Sequence, residues 1–172
     1  VLKALNFLVS IILQPIDNKT SELGFEPFHF DDITPTQNSF IEIDFIGDVR
    51  YNYKVEFNKK AVVREELYHY ISNRRSNIYI RTTDLESQFA EIKLGSSVKV
   101  DKKFVKTLEA NTLWNNTVLG GYLKTNIQFG ELKSVTDWFT NCFPPIILPN
   151  SSLEEYVTNE IHNNNIPKDD EI

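Results

Sequence analysis

Apolar positions along this chain change period twice, and the changes mark out its elements. From Val1 to Leu13, VLKALNFLVSIIL, the polar residues Lys3, Asn6, Ser10 and Gln14 recur at spacings of three, four and four. That spacing places them on one narrow stripe of a helix. Every other position is apolar, so this helix is expected to be covered on most of its surface. Pro15 stops it. No Ser, Thr, Asp or Asn precedes it to satisfy its first free N–H groups. The expectation is that residues ahead of Val1 have been lost and that they carry the chemistry.

Ile16 to Gln37 is a connection rich in Pro, Gly, Asp, Asn and Thr, with Phe25, Phe28 and Phe30 clustered around Pro27. A connection this long is expected to be functional or only partly ordered. The period then changes to two. Ile41, Ile43 and Phe45 alternate with Glu42 and Asp44, and Val49, Tyr51, Tyr53, Val55 and Phe57 alternate with Arg50, Asn52, Lys54 and Glu56. Gly47-Asp48 between them fits a type II′ hairpin turn with Gly first. Further strands are expected at Ala61–Ile71, Ile78–Thr82 and Gln88–Leu94, with Ser72–Asn77 and Thr83–Ser87 as turns. Sequential strands joined by short turns make an antiparallel meander, one face apolar and one wet.

Helical spacing returns after Gly95. Asp101 is placed to cap a short helix with Phe104, Val105 and Leu108 on one face. Leu113–Leu123 is ambiguous: Val118-Leu119 before Gly120-Gly121 fits a short strand running into a glycine turn. A second helix is expected from about Glu131 to Cys142, ended by Pro144-Pro145. Ile146-Ile147-Leu148 fits one more short strand. Ser152 and Glu155 form a capping-box pattern ahead of a last helix carrying Tyr156, Val157 and Ile161. The polar residues Ile166–Ile172 close no element, so the chain reads as cut at this end as well. The fold class is α+β, a single partial domain over residues 1–172. It comprises a helix at 1–14, a β subdomain of about five strands at 38–94 and a mainly helical segment at 101–162.

Composition narrows the possibilities. Apolar residues make up 41% of the 172 and the net charge is −6, which fits a globular chain without the overall basic footprint of a nucleic-acid binder. The apolar run of the first helix is shorter than the roughly 20 residues of a membrane span, and no signal-peptide pattern accompanies it. The single cysteine, Cys142, cannot form an internal disulfide, which points to a reducing, cytoplasmic setting. Cys142 is expected at a core-facing position of its helix. The sequons at Asn18, Asn115 and Asn150 read as chance in a chain rich in Asn, Ser and Thr.

Candidate chemistry is sparse. His29, His69 and His162 are too scattered for a metal site, and no HExxH, paired cysteines or Gly-x-Ser-x-Gly occur. Most strand carboxylates are expected on a solvated sheet face. Arg74-Arg75 is placed in a hairpin turn, as soluble surface. Gly120-Gly121 lacks the Lys-Ser/Thr of a P-loop. Lys168-Asp169-Asp170-Glu171 ends in acids but lacks the buried apolar strand that a Walker B motif needs. No catalytic, cofactor-binding or metal-ligating residue is assigned. By motif alone, a non-catalytic β-rich interaction module is the alternative reading.

The order of the segments nevertheless resembles a known family. VLKALNFL looks like the helix that directly follows the P-loop in ATP-binding proteins of the ABC/SMC/RecF type. The nearest likeness is to bacterial and archaeal AAA-type ATPases related to the OLD and abortive-infection proteins. Glu26-Pro27-Phe28 with Phe30 resembles the family's Pro-Phe segment, and Phe40–Phe45 its first meander strand. Tyr51-Asn52-Tyr53 resembles the aromatic pair of the next strand. Glu65 and Leu67 match a recurring Glu-x-Leu, and Arg81 follows the apolar strand where the family often has Arg. Asn111–Leu119 and Leu132–Phe139 resemble the segment before the family's central insertion.

The resemblance implies a fragment of a P-loop ATPase head that starts just after the phosphate-binding loop, where a helix N-terminus favours anions. It implies ATP and Mg²⁺ in the full-length parent and none for the fragment. The Walker B acids, signature motif and switch histidine would follow Ile172. Gln88 and Gln128 are available for the family's Mg²⁺-sensing glutamine, but neither lies in its motif. Head–head homodimerisation, work in phage defence or on DNA, and a nuclease partner are further implications. No membrane association is implied.

Overall fold

The alternating stretches pair as a sheet because each strand has one apolar face to bury. In the computed structural model, residues 2–25 and 37–143 are described. Helix α1 (Leu2–Leu13) comes first. The strands β1 (Ser39–Ile46), β2 (Arg50–Phe57), β3 (Val62–Ile71), β4 (Arg74–Asp84) and β5 (Phe89–Leu94) follow. The chain continues into α2 (Lys102–Asn111), α3 (Val118–Leu123) and α4 (Gly130–Cys142). The five strands form one antiparallel sheet in sequential order, the expected α+β meander followed by helices.

Register decides which side chains meet. Ile43, Tyr53, Leu67 and Tyr79 lie side by side across β1 to β4, as do Ile41, Val55, Glu65 and Arg81. This face carries the core, with Tyr51, Tyr53, Val55, Phe57, Leu67 and Tyr79 buried. A bulge at Glu56/Phe57 shifts the phase of β3, so Val62 faces the core together with Glu65 and Leu67. The other face is open, lined by rows such as Asp44, Asn52 and Tyr68.

The helices cover the core face. Phe104 and Leu108 of α2 are buried, as are Leu132, Val135 and Phe139 of α4. Asp101 caps α2 by accepting from the Lys103 N–H at 3.0 Å. Trp138 stacks on Phe45 at 4.1 Å, and Phe139 packs edge-on against Tyr53 at 6.0 Å. At the outer edge of β5, the Ile92 N–H donates to Glu109 of α2 at 2.9 Å, so a side chain closes that edge.

Several expectations are corrected. The turn between β3 and β4 is not six residues long. Ser72 and Asn73 both take positive φ (48° and 60°) and complete it, so Arg74 and Arg75 lie on β4. Between β1 and β2 the connection is Gly47–Val49, closed by the Gly47 N–H donating to Val49 O at 2.9 Å. Gly24 is the one glycine at positive φ among the described residues, so Gly47 makes no type II′ turn. Gly120-Gly121 lies inside α3 rather than in a glycine turn after a strand. Cys142 is exposed rather than core-facing; the buried residues of α4 are Leu132, Val135, Thr136 and Phe139.

Helix α1 is covered on one side only. Leu8, Ile11 and Ile12 are buried, while Leu2 is 54% exposed. It packs on α3 and α4, and Phe7 meets Phe57 and Phe25 at 4.9 and 5.7 Å. The Pro-Phe segment at 26–30, the strand at 146–148 and the helix from Ser152 lie outside the described residues.

Candidate functional site

The strongest concentration of polar chemistry lies on the core face, where strand periodicity calls for apolar residues. Glu65 follows the same phase as Leu67, so its side chain must enter the core. There it is fully buried. Its Oε1 accepts from Tyr53 OH at 2.9 Å and from Tyr79 OH at 2.6 Å. Its Oε2 accepts from the Val118 N–H at 2.7 Å, the first residue of α3, where a negative charge is favoured. Beside it Arg81 is also fully buried. Its guanidinium donates to the backbone oxygens of Val62 and Trp114, the latter at 2.9 Å, and more weakly to Leu113 O at 3.5 Å.

The electrostatics follow from burial. Burial raises the Glu65 carboxyl above its ordinary value, opposed by Arg81, the two tyrosines and the Val118 N–H. Burial, reinforced by the Glu65 charge, pushes both Tyr53 and Tyr79 well up, so they remain proton donors. Burial pulls Arg81 down to about 10, which leaves it charged at neutral pH.

This cluster grips one stretch of backbone, Leu113–Val118, from the sheet side. The same stretch grips the chain after α1 from the other side. Trp114 Nε1 donates to Lys19 O at 2.6 Å, and Asn115 Nδ2 donates to Asn18 O and Ser21 O, both at 2.9 Å. Asn116 accepts from the Ile16 N–H and donates to Ile16 O, each at 2.8 Å, as a neighbouring strand would. Thr117 Oγ1 donates to Ile11 O at 3.1 Å and caps α3 by accepting from the Gly120 N–H at 3.0 Å. The two glycines of α3 serve close approach. A Cβ on Gly120 would lie 3.1 Å from Pro15 Cβ, and one on Gly121 would overlap Thr112 Oγ1. The arrangement is a clamp that fixes α1 and its exit segment to the sheet.

Chemically, the clamp is sealed. Glu65 and Arg81 have no exposed surface, so no substrate reaches them, and the arrangement positions backbone. A separate groove of about 720 Å³ runs between α1 and β1, lined by Asn6, Phe7, Phe25, Ile41 and Phe57 among others; neither Glu65 nor Arg81 lines it.

The residues weighed from sequence are scattered by the fold. His69 is buried on the core face with Nε2 unpartnered among the described residues. Gln88 and Gln128 are exposed in separate connections. Asn115 is buried with its amide bonded to backbone, while Asn18 is exposed. Among the described residues, no three His, Cys, Asp or Glu side chains gather to hold a metal, and no helix is long and apolar enough to cross a membrane. His29, His162, Asn150 and Lys168–Glu171 lie outside the described residues. Glu65 is the exception to the expectation that most strand carboxylates face solvent. The signal was present in the sequence: Glu65, Leu67 and His69 share one face at spacing two.

No family is identified by comparison. None of the protein-family models, curated proteins or solved structures compared with the chain matches it.

Proposed function

We propose that the chain is part of the ATP-binding head of an ABC/SMC-like ATPase, with α1 as the helix behind the phosphate-binding loop of a longer protein. One observation carries this reading. Three of the stretches that resemble the family, far apart in sequence, meet at the clamp, namely Glu65, Arg81 and Asn111–Leu119, and they hold the far end of the helix that opens with VLKALNFL. A helix whose N-terminus must hold a polyphosphate needs its far end fixed. Thr117 and Asn116 supply that at Ile11 and Ile16.

ATP and Mg²⁺ are proposed for the longer protein, and no step of hydrolysis is assigned to a residue of this chain. Dimerisation of two heads, a cytoplasmic setting, and work in phage defence or on DNA with a nuclease partner complete the proposal, by family analogy alone.

The test is the coding sequence upstream of Val1 and the protein it specifies. A Gly-rich loop ending in Gly-Lys-Ser/Thr is expected there, and the longer protein should bind ATP with Mg²⁺ in calorimetry. Codons that spell no such loop would sink the reading. The second reading, a non-catalytic interaction module, is favoured by the open sheet face and by Phe40 and Ile46 of β1, which are 63% and 77% exposed. A longer protein with no nucleotide binding would support it.

A further inference from the structure

We propose that the end of the open sheet face beside the β3–β4 turn docks an acidic peptide segment of a partner protein. The site is independent of the ATPase reading. Register places Ile46, Arg50, Tyr70 and Arg75 side by side across four strands on that face. The Arg75 guanidinium lies over the Tyr68 ring at 3.7 Å and donates to Asn52 Oδ1 at 3.0 Å. Asn52 belongs to the open face, yet it is only 4% exposed. Its own NH₂ is committed to Glu42 at 3.0 Å. A ring and a neutral amide thus orient Arg75, and no carboxylate pairs with it among the described ion pairs.

The neighbours set the chemistry of the occupant. Arg50 lies over Tyr70 at 4.7 Å and pairs with Asp44 at 3.1 Å, both side chains about half exposed at 56% and 48%. Such an exposed pair is weak and readily shared. Arg74, on the opposite side of the same hairpin, also has no carboxylate among the described ion pairs. Ile46, on the same face, flanks the patch and is 77% exposed, while Ile71 shares the opposite side with Arg74.

Guanidiniums placed over tyrosine rings keep N–H donors for carboxylates, and Tyr and Arg beside apolar residues are what protein interfaces concentrate. The complement is a segment that alternates carboxylates with apolar side chains. A nucleic acid fits less well. The two guanidiniums of the patch, with Glu42 and Asp44 close by on the same face, form no continuous basic row for a phosphate backbone, whereas single carboxylates can meet them one at a time.

The experiment measures fluorescence anisotropy of a labelled peptide of alternating Glu and Ile titrated with the full chain. A Lys–Ile peptide and oligothymidylate serve as competing probes. The Glu–Ile peptide is expected to bind, with affinity falling as salt rises. Arg75→Gln, at an exposed side chain, should weaken it about tenfold, while Lys93→Gln, on β5, leaves it unchanged. No binding by the wild-type chain would overturn the proposal. So would equal loss in both variants, tighter binding of oligothymidylate, or occupation of the face by a second copy in sedimentation.

Discussion

At the scale of single residues, Glu65 is the position on which most else turns. Three hydrogen bonds from Tyr53, Tyr79 and Val118 end on it, and Arg81 faces it in register. Replacing one member of a buried charged set leaves the other uncompensated, at about 3–5 kcal/mol. Glu65→Ala and Arg81→Met should each cost that much in urea unfolding, and the double variant should cost less than the sum. The sign of the pH dependence follows from burial. A carboxyl raised above its ordinary value of 4.5 binds its proton more tightly in the folded state. Its contribution is therefore largest at low pH and is lost as pH rises through the folded value. The stability of the wild-type chain relative to Glu65→Gln should improve as pH falls from neutral toward that ordinary value. A pH-independent difference would contradict the assignment.

At the scale of elements, glycine separates packing from propensity. Gly121→Ala forces a Cβ into Thr112, with no room to relax between α3 and the end of α2, and should destabilise by about 1–3 kcal/mol. Gly130→Ala, at the start of α4 with nothing within 4 Å of the new Cβ, should stabilise by about 0.5–1 kcal/mol. Thermal melts of the two variants compare them directly. The same contrast explains what the sequence made legible. Strands β1 and β2 alternate cleanly because one face is buried and one wet, and α2 declares itself through Asp101 and the spacing of Phe104 and Leu108. The β3–β4 turn was hidden because Arg74, Arg75, Ser76 and Asn77 are polar strand residues that mimic a loop. Gly120-Gly121 misled because its reason is long-range contact with Pro15 and Thr112. Glu65 and Arg81 were visible as residues of a resemblance, but their meeting in a buried cluster depends on the bulge and the register.

At the scale of the whole molecule, the clamp joins parts of the chain that are local to nothing. Asn116→Ala removes both bonds to Ile16, each worth about 1 kcal/mol. Hydrogen exchange should then quicken by up to about thirtyfold in residues 11–21 while the sheet keeps its protection. Unchanged exchange there would mean that the other bonds to this segment, from Trp114, Asn115, Thr117 and Lys124, hold it without Asn116. The bond from Ile16 to Asn116 spans 100 residues, and that span is also an interval of time. At translation rates of about 5–20 residues per second, α1 is synthesised roughly 5–20 seconds before the residues that will hold it exist. Until then Leu8, Ile11 and Ile12 have no core to enter, and the nascent helix offers an apolar stripe to any chaperone waiting at the tunnel exit.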